Sequence, residues 1–278
     1  MNNSFYSDLV TNPEIKVMGI LNVTPDSFSD GGKYYSKEKA TERALQMLED
    51  GADIIDIGGE SSRPGASPVS AEEEIERTIP VIENILSRRK DTVISIDTVK
   101  PEVAELALQN GATIVNDISA FSNIKLLEVV KKYSAILVIM HMQGSPSTMQ
   151  NNPRYGNVVE DVYNFLDEKI EIAKSNGVEK LVLDPGIGFG KSVEDNFMLL
   201  KNLKKFTKLQ LPILIGISKK SLIGKSLNLH LDEREIASVI LETASVNFGA
   251  KIIRTHNVKN GVQIKKLNAF INDPSKLT

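Results

Sequence analysis

Gly51-Ala52-Asp53-Ile54-Ile55-Asp56-Ile57-Gly58-Gly59 carries one whole unit of the fold in a single stretch. Gly51, directly after Asp50, marks the end of a helix, because glycine takes the left-handed conformation that stops one. Asp53 to Ile57 is an apolar run short enough to be a strand buried on both faces. The same turn recurs down the chain. Gly51-Ala52, Gly111-Ala112, Gly177-Val178 and Gly249-Ala250 each precede such a run, spaced by 60, 66 and 72 residues, or two strand–helix units per step. They lead into strands two, four, six and eight.

The full set of runs is Lys16 to Leu21, Asp53 to Ile57, Thr92 to Ile96, Thr113 to Val115, Ala135 to Met140, Lys180 to Leu183, Pro212 to Ile217 and Lys251 to Ile253. Between them the apolar residues change to helical spacing, as in Ala40, Ala44, Met47 and Leu48, or Val158, Val162, Phe165 and Leu166. Eight alternations of buried strand and amphipathic helix predict an α/β fold, a (β/α)8 TIM barrel in one domain over 1–278, with its core in 15–272. The 278 residues suit a barrel of about 250 with insertions. A doubly wound open sheet also alternates strand and helix. Against it, no Gly-x-Gly-x-x-Gly follows the first run, and every run ends in polar residues rather than only those at a switch point.

Composition removes several function classes. With 33 basic and 36 acidic side chains the formal charge is -3, which offers no overall field for nucleic acid or an anionic membrane. Cysteine is absent, which excludes disulfides, thiolate zinc sites and thiol nucleophiles. No stretch approaches the roughly 18 apolar residues of a membrane span, and Met1 to Pro13 lacks the apolar centre of a signal peptide. A cytoplasmic enzyme with small-molecule partners is the expectation.

The residues that close the runs are Asn22, Asp56, Asp97, Asn116, His141, Asp184, Ser218 with Lys220, and Arg254 with His256. In a barrel they share one rim. Each alone could be a cap or a loop start, and Asp56 before Gly58-Gly59 reads as a loop brace. Asp97, Asn116 and Asp184, facing Lys220, suit an amino-substituted fused heterocycle, whose N–H edge needs acceptors and whose carbonyl needs a cation. Magnesium held by the carboxylates is the rival reading. Arg63, Arg254 and His256 suit a phosphate, and Ser218-Lys219-Lys220-Ser221 precedes a short helical turn where a carboxylate or phosphate could sit. Asp184-Pro185-Gly186-Ile187-Gly188-Phe189-Gly190-Lys191 lacks P-loop spacing. Its glycines would let a flat ligand approach, with Phe189 as a wall. Thr24 to Tyr35, with Asp26 and Asp30, reads as a lid. His141 reads as structural and His230 as a surface residue. No serine stands in a nucleophile elbow.

Taken in order, these stretches resemble the dihydropteroate synthase family. The resemblance rests on Met18-Gly19-Ile20-Leu21-Asn22-Val23-Thr24-Pro25-Asp26-Ser27-Phe28-Ser29-Asp30-Gly31-Gly32 and on Asp56-Ile57-Gly58-Gly59-Glu60-Ser61-Ser62-Arg63-Pro64-Gly65-Ala66. It continues through Ser95-Ile96-Asp97-Thr98, Asn116-Asp117, Met140-His141-Met142-Gln143-Gly144, the glycine-rich stretch from Asp184 to Lys191, and Arg254-Thr255-His256. The family's reaction joins 6-hydroxymethyl-7,8-dihydropterin pyrophosphate to p-aminobenzoate. By correspondence Asp97, Asn116, Asp184 and Lys220 would hold the pterin, with Met140 and Arg254 against its faces. Asn22, Arg63, Arg254 and His256 would hold the pyrophosphate, Asn22 sharing it with Mg2+. Ser62, Pro64, Phe189 and Ser221 would form the p-aminobenzoate pocket, which sulfonamides also enter in this family. Asp97, Lys220, Asp30 and Arg63 are the implied catalytic residues, acting on a dissociative, carbocation-like step that needs no protein nucleophile.

Three positions depart from the family pattern. Lys219 replaces its usual arginine, Ser62 its common threonine and Asn257 its common aspartate. A methyltransferase acting on a methylated folate would share the acceptors without needing cations around a diphosphate, and a barrel kept only for binding would need neither. The resemblance also implies a homodimer, with the last strand and helix, around Phe248 to Phe270, as the place for its contacts.

Overall fold

The computed structural model describes residues 2–24, 32–61, 68–146, 148–150 and 152–277. Strands β1 (Lys16–Asn22), β2 (Ile54–Gly58), β3 (Ile94–Asp97), β4 (Ile114–Asp117), β5 (Ile136–Met140), β6 (Leu181–Asp184), β7 (Leu214–Ile215) and β8 (Ile252–Thr255) are all parallel. Their order, β6-β5-β4-β3-β2-β1-β8-β7, is a barrel with one seam. Leu183 closes that seam by donating its N–H to the Pro212 carbonyl at 2.9 Å and bridging to Ile213. The seventh run is longer in sequence than in the sheet, where only two residues are paired.

The helices are α1 (Asn2–Thr11), α2 (Gly32–Glu49), α3 (Ala71–Arg88), α4 (Pro101–Gln109), α5 (Lys125–Lys132), α6 (Val158–Ser175), α7 (Val193–Lys201), α8 (Leu203–Phe206), α9 (Ser221–Leu227), α10 (Glu235–Asn247) and α11 (Val258–Asn272). Local chemistry starts them. The Ser70 hydroxyl accepts from Glu73 N–H, Asn157 caps α6, and Ser192 with Asp195 makes a capping box on α7. Gly51, Gly111, Gly177 and Gly249 all have φ between 82° and 106°, so the four recurring turns are left-handed stops as their spacing predicts.

The unbroken apolar runs feed two cores. Val17, Leu21, Ile55 and Ile57 point outward under the helices, while Met18, Ile54, Ile114, Ile136, Val138, Val182, Leu214 and Ile252 fill the barrel. Helix α1 plugs the bottom, where buried Leu9 joins the interior cluster. The Tyr6 hydroxyl donates to Leu181 O at 3.1 Å and accepts from Leu181 N at 3.2 Å. Leu9→Ala would cost about 2–5 kcal/mol, the cost of a cavity in a packed core. Among the described residues no helix is long and apolar enough to cross a membrane.

At the other end, parallel register aligns the polar row. Asn22 pairs with Gly58, Gly58 with Asp97, and Asp97 with Asn116, so four strand ends share one level and one face. Met140 and Asp184 are paired likewise across β5 and β6.

Candidate active site

Arg254, on β8, ties together one half of the mouth. Its Nε donates to Asp56 Oδ2 at 2.6 Å and its Nη2 to Asp97 Oδ2 at 2.7 Å. Asn116 Nδ2 donates to the same Asp56 oxygen at 3.1 Å. Burial works against the Arg254 charge, yet Asp56 and Asp97 together hold its pKa above the ordinary value. Burial pushes Asp97 up to about 7, against the pull of Arg254 and helped by the negative charges of Asp56, Glu74 and Asp117.

The other half is built on the glycine-rich stretch after β6. Gly186 N–H donates to Asp184 Oδ1 at 2.7 Å. At φ +70° Gly186 passes so close to the His141 carbonyl that a Cβ would lie 1.8 Å from that oxygen, so no other residue fits. Buried Lys191 locks this crossing. Its Nζ lies within hydrogen-bond distance of Gly186 O at 2.8 Å, Phe189 O at 2.9 Å, His141 Nδ1 at 3.0 Å and His141 O at 3.2 Å, which share its three N–H bonds. Burial drives Lys191 down to about 7 and His141 down to about 3, the Lys191 charge adding to the second shift. Lys220 donates to Ile187 O and lies 4.4 Å from the centre of the Phe189 ring. Burial lowers Lys220 to about 8, opposed by Asp184 and Asp97. Burial also raises Asp184 from its ordinary value, against the pull of Lys220 and the Gly186 N–H.

A cavity of 810 Å³ opens between the halves. Its wall includes Asn22, Phe189, Lys220, Ser221, Arg254 and His256. The His256 ring Nδ1 lies 3.0 Å from Ser218 Oγ. Asp97 instead lines a neighbouring cavity of 480 Å³, and its bond to Arg254 joins the two. Asn116, Met140 and Asp184 are buried and line neither cavity. Lys219 stands at φ 57° with its N–H on Ser238 Oγ at 3.0 Å and its Nζ 3.6 Å from Glu235, so its ammonium faces an acid on α10. Asp30, Ser62, Arg63 and Pro64 lie outside the described residues, as does most of the expected lid.

The mouth therefore joins two acids and an amide around an arginine to a lysine-lined aromatic wall, which suits a planar, polar ring next to an anion. A model of the pterin-binding enzymes matches residues 18–256. The dihydropteroate synthase of Escherichia coli strain K12 is 46% identical over 253 residues, covering 90% of this chain and 89% of that one. The chain belongs to the dihydropteroate synthase family of pterin-binding enzymes. The solved dihydropteroate synthase of Xanthomonas albilineans with 4-aminobenzoic acid superposes at a TM-score of 0.88, with 40% identity and 94% of both chains covered. That of Yersinia pestis in complex with a sulfonamide drug superposes at 0.87, with 42% identity over 93% of this chain and 94% of that one.

Within this dihydropteroate synthase framework, two buried residues carry more than their sequence reading assigned. Asp56 reads as a loop brace, yet it holds both Arg254 and Asn116. Its signal was an acid on the interior-facing alternation of an apolar run, beside Ile54 and Gly58. Lys191 reads only as the end of a glycine-rich loop, and nothing in its spacing marks it as buried. His141 is structural, as its place after a buried strand predicts, packed edge-on at 4.8 Å against Phe165.

Proposed function

We propose that this protein condenses 6-hydroxymethyl-7,8-dihydropterin pyrophosphate with p-aminobenzoate, giving 7,8-dihydropteroate and pyrophosphate. The observation that carries the reading is the Asp56–Arg254–Asp97 network beside Asn116, Asp184 and Lys220: acceptors for the pterin N–H edge and a lysine for its carbonyl. Met140 and Arg254 lie against the ring faces. Two of the three Arg254 nitrogens are committed to acids, which leaves Nη1 for an anion, beside His256 and Asn22 on the same cavity wall. By family correspondence Arg63 acts on the pyrophosphate, and Ser62, Pro64, Phe189 and Ser221 form the p-aminobenzoate pocket. The 4-aminobenzoic acid in the Xanthomonas albilineans structure supports p-aminobenzoate as the second substrate.

The reaction is dissociative. The carbon–oxygen bond breaks and its electron pair leaves with the pyrophosphate, so a positive charge spreads from the methylene carbon into the pterin. The p-aminobenzoate nitrogen then donates its lone pair to that carbon and loses a proton to solvent. Asp97, ionised, stabilises the cation, with Asp30 as a second acid. Lys220 polarises the pterin carbonyl, and Arg63 neutralises charge on the leaving group. No protein nucleophile is required.

Magnesium fits this scheme as a companion of the diphosphate. Among the described residues no cluster of three or more His, Cys, Asp or Glu could hold a metal ion. Asn22 offers one neutral oxygen at the cavity wall, which suits an ion that keeps its waters and rides mainly on phosphate. When bound there, Mg2+ supplies charge neutralisation for the departing pyrophosphate.

A homodimer through the α10–α11 face belongs to the same proposal. Ile236 and Ile240 on α10 are 75% and 61% exposed, and Leu267 and Ile271 on α11 are 60% and 78% exposed. Two helices that pack together thus present apolar side chains to water, which marks an interface. The sequence points to the last strand and helix, around Phe248 to Phe270; α10 is the addition, and β8 lies inside the barrel sheet.

The decisive experiment incubates purified protein with the pterin pyrophosphate, p-aminobenzoate and Mg2+ and follows dihydropteroate and pyrophosphate together. Stoichiometric, magnesium-dependent appearance of both is expected. Pyrophosphate without dihydropteroate, or neither, would overturn the reading.

A further inference from the structure

Asp56 enters the reaction above only through its network and is given no contact with substrate, although its charge is fully buried. Its side chain is fully buried, and Oδ2 accepts from both Arg254 Nε at 2.6 Å and Asn116 Nδ2 at 3.1 Å. Oδ1 has no hydrogen-bond partner among the described residues. These two donors are therefore what holds the carboxylate, and it in turn constrains them.

The constraint has a chemical direction. A carboxylate only accepts, so the Asn116 amide must turn its NH2 toward Asp56 and present its carbonyl oxygen elsewhere. Without Asp56 the amide could face a bound ring either as donor or as acceptor. Arg254 is constrained in the same way. With Nε on Asp56 and Nη2 on Asp97, the guanidinium is split between two acids. Freed from Asp56, its Nε–Nη2 fork could close on both oxygens of Asp97, the geometry that arginine and a carboxylate prefer.

We infer that Asp56 is a positioning residue for the pterin: it fixes Asn116 as an acceptor and keeps Arg254 from masking Asp97. The inference rests on the transferase reading and adds to it the group that sets donor and acceptor polarity in the ring pocket. A second consequence follows from charge. Asp97 is faced by Arg254 from β8, Asp56 from β2, Glu74 from α3, Asp117 from β4 and Lys220 after β7. Of these, Asp56 is a negative charge tied to the same guanidinium, so its loss makes Asp97 easier to ionise by two routes. It removes a repulsion, and it releases Arg254 onto Asp97.

Asp56→Asn keeps the shape and removes the charge, and it separates positioning from mere support. Parent and variant are compared with the pterin pyrophosphate, p-aminobenzoate and Mg2+ across pH. Losing a charge-assisted contact is expected to raise KM for the pterin substrate roughly 10- to 100-fold. KM for p-aminobenzoate should stay within about threefold, since that ring sits away from Asp56. The acid limb of kcat/KM should move to lower pH, because Asp97 then ionises more readily. A structural defect alone would raise both KM values and leave the limb where it was. That outcome, or an unchanged pterin KM, overturns the inference. If Asp56→Asn is insoluble, Asp56→Ser is read by the same criteria. Should the parent itself fail to turn over, the transferase reading falls. Equilibrium titration with the dihydropterin then decides the positioning role, which weaker binding by the variant upholds and equal binding overturns.

Discussion

On the β2, β3, β4 and β8 side of the mouth, buried charge is held by opposite charge, whereas on the β5, β6 and β7 side two lysines are held by backbone carbonyls. Arg254 bonds to Asp56 and Asp97 directly. Lys191 bonds to the carbonyls of His141, Gly186 and Phe189, and Lys220 to that of Ile187. The paired acids return more than desolvation removes, so Arg254 stays charged at any working pH. Carbonyl dipoles return less. Burial then dominates and brings Lys191 down to about 7 and Lys220 down to about 8, with Asp184 only partly restoring them. On the first side Arg254 is thus fixed in its charged form while Asp97 beside it titrates near 7, and on the other side the shape is held by lysines that titrate near neutrality.

The comparison can be broken at four points. The largest effect is expected on the ion-paired side. Asp97→Asn removes the fixed charge beside the developing cation and should lower kcat by on the order of 10²- to 10³-fold. Pterin binding should be retained, as steady-state kinetics and an equilibrium titration would reveal. Turnover near that of the parent would move the catalytic charge elsewhere.

On the carbonyl side, Lys191→Met leaves three carbonyls and an imidazole nitrogen without their donor. A loss of roughly 2–4 kcal/mol in denaturant unfolding is expected, by the cost of stranded buried polar groups. The acid limb of activity should not move, since Asp97 lies in the other half. A shift of that limb would mean that the halves are coupled.

A pH profile of kcat/KM reads both halves in the parent protein. Asp97 must be ionised, and its pKa is raised to about 7, so activity is lost as pH falls through that value. Lys220 must be protonated, and its pKa is lowered to about 8, so activity is lost as pH rises through that value. The profile should be a narrow bell with limbs approaching about tenfold per pH unit. A plateau reaching well below pH 6 would contradict the high Asp97 pKa.

The smallest effect on turnover is expected outside both halves. Ile240→Glu should shift the protein toward monomer in sedimentation velocity while leaving kcat within about twofold, as exposed substitutions usually do. A monomeric parent would remove the dimer proposal altogether.

Much of this was legible in the chain. The apolar runs and the positive-φ glycines give the barrel, because strand burial on both faces and left-handed helix stops are local properties with local signatures. Asn22, Asp97, Asn116 and Asp184 were found as the endings of runs, and parallel register then sets the first three on one level. Asp56 was visible but undervalued, since its partners Asn116 and Arg254 lie 60 and 198 residues away. Lys191 was passed over because a lysine after a glycine-rich loop looks solvated. Its burial depends on Gly186 crossing the His141 carbonyl, a contact between two different strand ends.

The sequence by itself determined the alternation of strand and helix, the rim on which the polar residues stand and the family to which their order belongs. Each depends on periodicity or on residue identity along a few consecutive positions. Only the tertiary structure decided which acid restrains Arg254, which way Asn116 presents its amide and what holds the Phe189 wall. Those are relations between strands far apart in the chain, and hydrogen-bond direction and desolvation have no one-dimensional signature. The stretch from Gly51 to Gly59 shows both sides: its stop, strand and ending were readable locally, while the role of Asp56 within it was set from β4 and β8.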